Sequence, residues 1–282
     1  MKQITVISGK GGTGKTVLTA SFSALAKNKV MADCDVDAAD LHLLLHPVIK
    51  ERHDFEGGIT AKIDEEVCIR CRKCIDICRF DAITDKIKVD PISCEGCALC
   101  SRICPVEAIK MEDNICGEWF VSETKYGPLI HAKLGIAEEN SGKLVTKVRQ
   151  VAKEIAKNKG MDYVIIDGPP GIGCPVIASL TGVNVAVIVT EPTLSGIHDM
   201  ERVLGVASHF EVDSKVVVNK YDLNIDNSKQ IMSFCREKNI ELAGMIPFSR
   251  EVSESIVKGV PIIEYTQNGI TKDIISIWEK IL

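Results

Sequence analysis

Long apolar runs and clustered basic residues are both missing from this sequence of 282 residues. No run of about eighteen apolar residues occurs, so we expect no membrane-spanning helix. The formal net charge is −5 at pH 7, which disfavours nucleic acid or an anionic membrane surface as the main partner. The first residues lead directly into a glycine-rich motif and not into a charged leader with an apolar core, so we expect no signal peptide.

Cysteine, by contrast, is abundant, with twelve residues in the chain. A chain of this length buries enough apolar surface to fold without disulfides. Cysteines in a chain without an expected secretory leader are kept reduced in the cytoplasm and more often bind metal. We therefore expect a cytoplasmic protein that uses its thiols as metal ligands.

Apolar segments alternate between strand-like and helix-like spacing, except in one central region. This alternation predicts an α/β fold with a mostly parallel sheet flanked by helices. A hairpin is expected over 118–134, and the amphipathic C-terminal segment lacks a basic face, so it should pack on the protein and give no stable membrane association. Strands are predicted at 3–7, 29–34, 163–167, 185–190, 215–219 and 241–246, and helices at 15–27, 38–45, 142–158, 196–209 and 227–238, followed by two closing helices.

The central region contains two runs of four cysteines, the first starting at Cys68 and the second at Cys94. Each cysteine of the second run follows its counterpart in the first by 26 residues, so the region is an internal repeat. A duplicated unit of this kind predicts a small domain inserted into the larger one. The predicted boundaries are 1–58 for the first part of the nucleotide domain, 59–112 for the insertion and 113–282 for the remainder.

The motif GKGGTGKT matches the phosphate-binding pattern G-x-x-x-x-G-K-[ST], after a predicted strand and before a predicted helix. Glycines let backbone N–H groups surround phosphates, the lysine supplies positive charge, and the hydroxyl binds Mg²⁺. The predicted nucleotide-binding residues are Gly9, Lys10, Gly11, Gly12, Thr13, Gly14, Lys15 and Thr16.

Two acids end predicted strands and are candidates to hold Mg²⁺ and the attacking water. Asp167 closes the apolar segment YVIID, and we predict that it binds Mg²⁺ together with Thr16. Asp35 closes the second strand and is predicted to be catalytic with Lys15, although a turn or cap role for Asp35 stays open.

Three motifs together resemble the MinD/ParA superfamily of ATPases, which includes the nitrogenase iron protein and the Mrp/NBP-type iron–sulfur carriers. They are KGGTGKT with its additional Lys10, a variant known as the deviant Walker A motif, DCDVD at 33–37 and DGPPG at 167–171. The resemblance implies a homodimer in the ATP state. It also implies that Lys10 reaches the phosphates of the partner subunit and is catalytic.

The same resemblance assigns roles to three further positions. It places the switch aspartate at Asp35, the Mg²⁺-linked strand aspartate at Asp167 and the base-contacting asparagine at Asn219. A second lysine in the phosphate loop is reasonable if charge develops between two subunits.

The pattern C-x₂-C-x₂-C-x₃-C occurs twice, and this spacing is typical of two 4Fe–4S clusters in which the fourth cysteine of each run ligates the other cluster. The segment resembles a bacterial two-cluster ferredoxin of α+β fold, except that Arg79 stands where that family usually has proline. Zinc at two four-cysteine sites is the alternative. The first predicted ligand set is Cys68, Cys71, Cys74 and Cys104, and the second is Cys94, Cys97, Cys100 and Cys78.

Four cysteines lie outside this pattern. We predict that Cys34 and Cys235 are small core residues. Cys174 follows Asp167 at the spacing of a cluster ligand in the nitrogenase iron protein, so Cys116 and Cys174 could together bind a third cluster shared by two subunits. The alternative is that both remain unligated thiols.

Three functions fit this combination of motifs. The first is an ATP-gated electron-transfer protein whose clusters serve a redox partner. The second is an ATP-dependent maturation factor that assembles or delivers a metallocluster. The third is a positioning ATPase of MinD/ParA type whose clusters are structural or redox-sensing.

Overall fold

Nine strands of the described residues form one sheet, in the order β3-β4-β5-β2-β6-β1-β7-β8-β9. The computed structural model describes residues 1–135 and 141–282. In chain order the strands are β1 (Lys2–Ser8), β2 (Lys29–Asp33), β3 (Val48–Ile63), β4 (Ile109–Thr124), β5 (Gly127–Leu134), β6 (Tyr163–Pro170), β7 (Val185–Thr190), β8 (Asp213–Asn219) and β9 (Glu241–Ile246).

The sheet is mostly parallel, which confirms the predicted fold class. Strand β1 pairs in parallel with β6 and β7, β2 with β5 and β6, and β8 with β7 and β9. Every residue of β7, VAVIVT, is buried, because a parallel strand covered on both faces is apolar throughout. The carboxyl ends of the paired parallel strands meet at one edge of the sheet, where ligands bind in such folds.

Helices connect the strands, as expected for β-α-β units. In chain order they are α1 (Lys15–Leu25), α2 (Leu41–Leu45), α3 (Lys73–Ile77), α4 (Leu99–Ile103), α5 (Ser141–Asn158), α6 (Cys174–Leu180), α7 (Leu194–His209), α8 (Ile225–Glu237), α9 (Arg250–Val257), α10 (Ile262–Tyr265) and α11 (Gly269–Ile281). No described helix combines the length and apolar character needed to cross a membrane.

One large core lies between the sheet and two of the helices. Phe22 of α1 and Trp278 of α11 are buried there with their ring centroids 5.1 Å apart, and Tyr163 of β6 meets the same indole edge-on. The C-terminal helix therefore packs on the protein, as predicted. Burying an aromatic side chain of this kind stabilises the fold by roughly 1.5–3 kcal/mol.

The chain divides into two compact units. The first contains 1–52, 119–133 and 141–282. The second contains 53–118 and, among the described residues, 134–135. The insertion predicted at 59–112 falls within the residues of the second unit.

The second unit reproduces the internal repeat in its backbone. Helices α3 and α4 are each five residues long and start 26 residues apart, at Lys73 and Leu99. The residues before them, Arg72 and Ala98, are both left-handed, with φ of 65° and 59°. The same backbone path thus occurs twice, with different residues at the repeated positions.

Several elements differ from the sequence-based predictions. Strand β3 was not predicted, because its residues are mostly polar and include two consecutive glycines, so they show no apolar alternation. Helix α6 and the four-residue α10 were also not predicted, so three helices close the chain and not two. Most other boundaries shift by one to three residues, the usual uncertainty at element ends.

Candidate nucleotide and iron–sulfur sites

The phosphate loop joins the end of β1 to the start of α1, in the context that the motif requires. Gly12 and Gly14 have φ of 78° and 93°, which favours glycine. A β-carbon at Gly14 would lie 2.4 Å from Asn219 Nδ2, and one at Gly9 would lie 2.4 Å from Asp199 Cβ. Gly12 is therefore needed for its backbone angle, Gly9 for the close approach of α7, and Gly14 for both reasons.

Asn219, predicted to contact the base, lies beside the loop at the end of β8. Its Nδ2 donates to the carbonyl oxygen of Thr13 at 2.8 Å, and its Oδ1 accepts from the backbone N–H of Lys220 at 3.0 Å. In this structure the side chain therefore ties β8 to the phosphate loop. The predicted base contact stays a prediction.

Lys15 and Asp35 are brought together as a buried ion pair. The Lys15 Nζ lies 3.5 Å from the Asp35 Oδ2, and the two side chains are only 6% and 11% exposed. Burial raises the pKa of Asp35 to about 6, although the positive charge of Lys15 opposes the shift. A lysine held at the end of the loop in this way is placed to meet a phosphate.

Asp167 is fully buried at the end of the apolar part of β6, and its two carboxylate oxygens differ. Oδ1 accepts from Thr19 Oγ1 at 2.9 Å. Oδ2 has no hydrogen-bond partner among the described residues, and the same holds for the buried Thr13 Oγ1. Burial raises the pKa of Asp167, while Lys15 and the hydroxyls of Thr16 and Thr19 act against this. Buried polar atoms without partners are rare, and a carboxylate oxygen beside a phosphate loop fits Mg²⁺ while a hydroxyl fits a phosphate oxygen.

Sequence reasoning missed Asp33, which is fully buried beside Asp167. The two residues are paired in register on β2 and β6. Asp33 accepts from the backbone N–H groups of Asp35 at 3.2 Å and Leu41 at 3.3 Å. Burial, followed by the charge of Asp167, raises the pKa of Asp33 well above its usual range. Asp33 therefore fixes the turn that carries Asp35. In the sequence, the feature that could have indicated this role is its position as the first acid of the segment ADCD.

Lys10 points away from the loop and lies against the segment between β7 and α7. Its Nζ donates to Thr193 Oγ1 at 3.1 Å and Ser195 Oγ at 3.2 Å, and it lies 3.6 Å from Glu191 Oε2. Its side chain is 30% exposed. The two lysines of the motif therefore have different surroundings: Lys15 is buried and Lys10 is at the surface.

The pKa of Asp35 gives a testable dependence of stability on pH. Because its folded-state pKa of about 6 is above the ordinary 3.8, the folded protein binds more protons than the unfolded chain between these values. The contribution of Asp35 is thus fully present below about pH 4 and is lost as pH rises through 6. We expect nucleotide-free wild-type protein to lose about 2 kcal/mol of unfolding free energy relative to Asp35→Asn between pH 4 and 7. Urea unfolding at both pH values measures it.

The matched control is Asp226→Asn, at a side chain that is 94% exposed. Its unfolding free energy should follow that of the wild-type protein across the same pH range. A constant difference between wild type and Asp35→Asn would contradict a raised pKa at Asp35.

The cysteines predicted to bind clusters line two cavities of the second unit. One cavity is lined by Cys94, Cys97, Cys100 and Cys78, with Phe80, Leu99 and Met111 among its other residues. The other is lined by Cys68, Cys71, Cys74 and Cys104, with Ile63, Ile87 and Ile109 among its other residues. Each cavity thus receives three cysteines from one run and the fourth from the other run.

The cysteines that line the two cavities are the type of ligand that 4Fe–4S clusters use. Across the described residues, no three His, Cys, Asp or Glu side chains are grouped closely enough to hold one metal ion. A 4Fe–4S cluster distributes its four thiolates over separate irons, so its ligands surround a cavity and do not meet at a point. The backbone N–H of Ala108 donates to Cys104 Sγ at 3.3 Å, a bond of the kind that tunes cluster potentials. The residues present therefore fit two such clusters.

Gly96 allows the second run to pass close to β3. Its φ is 63°, and a β-carbon there would lie 2.2 Å from the carbonyl oxygen of Ile59. The corresponding residue of the first run, Arg70, is also left-handed, with φ of 56°. Only the second run thus requires glycine between its first two cysteines.

The remaining cysteines fall into two groups. Cys34 and Cys235 are buried, as predicted, with exposures of 0% and 1%. Cys116 is 1% exposed, and its Sγ lies 3.7 Å from the carbonyl oxygen of Phe55, whereas Cys174 is exposed at the start of α6. The burial of Cys116 argues against its use as a ligand shared between subunits, so the third cluster stays a prediction without structural support.

A mostly parallel sheet, a complete phosphate loop after its first strand and acids at the adjoining strand ends define a P-loop ATPase. The chain belongs to the family described as the CobQ/CobB/MinD/ParA nucleotide binding domain, whose model matches residues 4–262. This confirms the MinD/ParA part of the resemblance.

Individual proteins agree with this assignment. The chain is 34% identical to the uncharacterized protein MJ0578 of Methanocaldococcus jannaschii, over 99% of this chain and 96% of that protein. It is 26% identical to the septum site-determining protein MinD of Neisseria meningitidis serogroup B, over 93% and 84% of the two chains. The structure of the MinD protein of Pyrococcus horikoshii complexed with Mg-ADP superposes with a TM-score of 0.61 at 17% identity, over 99% and 95% of the chains.

Proposed function

We propose that this protein is an ATP-hydrolysing switch that dimerises around ATP and whose second unit binds two 4Fe–4S clusters. The observation that carries the proposal is the pair of cavities, each lined by three cysteines of one run and the fourth of the other. The membership of the MinD/ParA family supports the ATPase part. The likeness to a MinD protein that binds Mg-ADP supports Mg²⁺ with ATP or ADP as the ligand of the first unit.

The residues of the first unit have distinct roles in this proposal. Lys15, already buried at the loop, would carry charge to the terminal phosphates, and its partner Asp35 would then be free to orient the attacking water. The unpartnered Oδ2 of Asp167 and the hydroxyl of Thr16 would hold Mg²⁺. Lys10, at the surface, would act on the nucleotide of the partner subunit.

The cysteines of the second unit would hold the clusters through thiolates. When bound, such clusters supply one-electron transfer. Every predicted cluster has four cysteine ligands from the chain, which favours retention over delivery, so the maturation hypothesis has the least support. If electrons leave the clusters, a redox partner protein would accept them.

A second use of the clusters is supported by the comparisons. Septum site-determining MinD proteins are among the relatives, and the matches to those of Neisseria meningitidis and Pyrococcus horikoshii cover 93% and 99% of this chain. This favours a positioning ATPase of MinD/ParA type, in which clusters would sense redox state, over electron transfer as the main activity. Both uses require the same ATP-dependent dimer.

The experiment that tests the proposal is an anaerobic redox titration of iron-loaded protein, alone, with ADP and with a non-hydrolysable ATP analogue. If nucleotide state controls electron transfer, we expect a shift of about 59 mV or more between nucleotide states, which corresponds to a tenfold change in a one-electron equilibrium. Conversely, if the clusters sense redox state, oxidation should change ATP-dependent dimerisation by the same factor, because the coupling is reciprocal.

The Lys15→Ala variant serves as control, since a shift that persists without bound nucleotide has another cause. Lys10→Ala should still bind ATP and should fail to dimerise and hydrolyse it. Protein that takes up no iron, or that shows neither coupling with nucleotide bound, would contradict the proposal.

A further inference from the structure

Glu191 joins two lysines that approach it from different elements. It follows β7 directly, and its side chain is 15% exposed. One carboxylate oxygen, Oε2, lies 3.6 Å from Lys10 Nζ, while the other, Oε1, accepts from Lys220 Nζ. Lys220 also donates to the carbonyl oxygen of Gly12 at 3.4 Å, within the phosphate loop. The carboxylate therefore links the loop, β7 and β8 at a single point.

The ammonium group of Lys10 contacts three polar groups in its own subunit. Besides Glu191, these are the hydroxyls of Thr193 at 3.1 Å and Ser195 at 3.2 Å. Thr193 is fixed in place because it caps α7, accepting from the backbone N–H of Gly196 at 3.0 Å. Two of the three N–H donors of the ammonium therefore have hydrogen-bond acceptors, and the nearby Glu191 carboxylate balances its charge.

We propose that Glu191 is a positioning residue that holds Lys10 within its own subunit in the absence of ATP and so opposes dimerisation. The inference rests on the proposed function, in which Lys10 acts on the nucleotide of the partner subunit. To reach a partner subunit, Lys10 must leave the Glu191 carboxylate and both hydroxyls. A triphosphate between the subunits carries more negative charge than one carboxylate, so ATP can compete for Lys10 where an empty site cannot.

The contact between Glu191 and Lys220 would also link nucleotide binding to the release of Lys10. Lys220 holds Glu191 on one side and the loop carbonyl of Gly12 on the other, so a rearrangement of the loop around phosphates changes the position of the Glu191 carboxylate. ATP would therefore weaken the contact between Glu191 and Lys10 in two ways. Its phosphates compete for Lys10, and the rearranged loop moves Glu191 through Lys220.

The test compares the Glu191→Gln variant with the wild-type protein. This substitution keeps the size of the side chain and removes its charge. ATP-analogue-dependent dimerisation is followed by analytical ultracentrifugation. We expect Glu191→Gln to dimerise at about fivefold lower analogue concentration, the lower end of ordinary coupling strengths. The matched control is Glu241→Gln, which removes an equal charge from the ion pair between Lys215 of β8 and Glu241 of β9 and should behave as wild type.

A double mutant separates positioning from a general effect of charge on nucleotide affinity. In the Lys10→Ala background, nucleotide binding is measured with a fluorescent ATP analogue, and Glu191→Gln should raise the affinity less than it does when Lys10 is present, because only the contact through Lys220 remains. An equal gain in nucleotide affinity with and without Lys10 would overturn the inference, as would Glu191→Gln dimerising like Glu241→Gln. If Lys10→Ala itself dimerises and hydrolyses ATP like wild type, the dimer proposal fails. Failure of the Glu191 inference alone leaves the loss in Lys10→Ala intact.

Discussion

Lys15→Ala should lose ATP binding, with a dissociation constant raised at least about 30-fold. The side chain is only 6% exposed, and it is the cation that the structure places at the end of the phosphate loop. Truncating one member of a buried charge pair costs about 2–5 kcal/mol, and about 1.4 kcal/mol is a factor of ten in affinity. The measurement is equilibrium titration with a fluorescent ATP analogue in the presence of Mg²⁺.

The same substitution has a second consequence in the nucleotide-free protein. Asp35 loses its nearest positive charge, so its pKa should rise further above 6. Lys27→Ala is the control, because Lys27 is exposed after α1 and its removal changes the net charge equally. Thermal unfolding establishes that the variant is folded. Undiminished ATP affinity in folded Lys15→Ala would show that the loop does not bind phosphate through this lysine.

The sequence was sufficient for the parts of the site that lie close together in the chain. The phosphate loop is a continuous motif in a β-loop-α context, and the cysteine runs have regular spacing, so both are local patterns. The parallel strands were predictable for a similar reason, because buried strands such as β7 are continuous apolar segments.

Residues that reach the site through strand order could not be predicted in this way. Glu191 approaches Lys10 because β7 is the neighbour of β1, although 181 positions separate the two residues. Asp33 meets Asp167 through the register of β2 with β6. Only the assembled sheet brings such residues together: Glu191 lies in no recognised motif, and although Asp33 begins the DCDVD motif, the motif does not show that Asp33 meets Asp167. The long polar strand β3 was missed because its pairing depends on β4 and not on an apolar pattern of its own.

The largest expected effect in the second unit follows from which cysteine completes each cavity. Cys104 lines the cavity of the first run, although it belongs to the second, and Cys78 lines the other. Cys71→Ser combined with Cys104→Ser should therefore damage one cavity and leave about four irons per chain. Cys71→Ser combined with Cys78→Ser should damage both cavities and leave no intact cluster, from about eight irons in the wild type. Iron analysis and low-temperature EPR after anaerobic reconstitution measure the result.

Each double variant lacks two cysteines. The variants differ only in which cysteine is replaced together with Cys71. If each run ligated its own cluster, the outcomes would be exchanged, with Cys71→Ser/Cys78→Ser retaining about four irons. Equal iron in both variants would contradict four-cysteine ligation altogether. Cys174→Ser is the single-variant control, since this exposed cysteine lies in the first unit. Iron that is unchanged in that control is expected if only the two cavities bind clusters, whereas a loss of iron would support the predicted third cluster at Cys116 and Cys174.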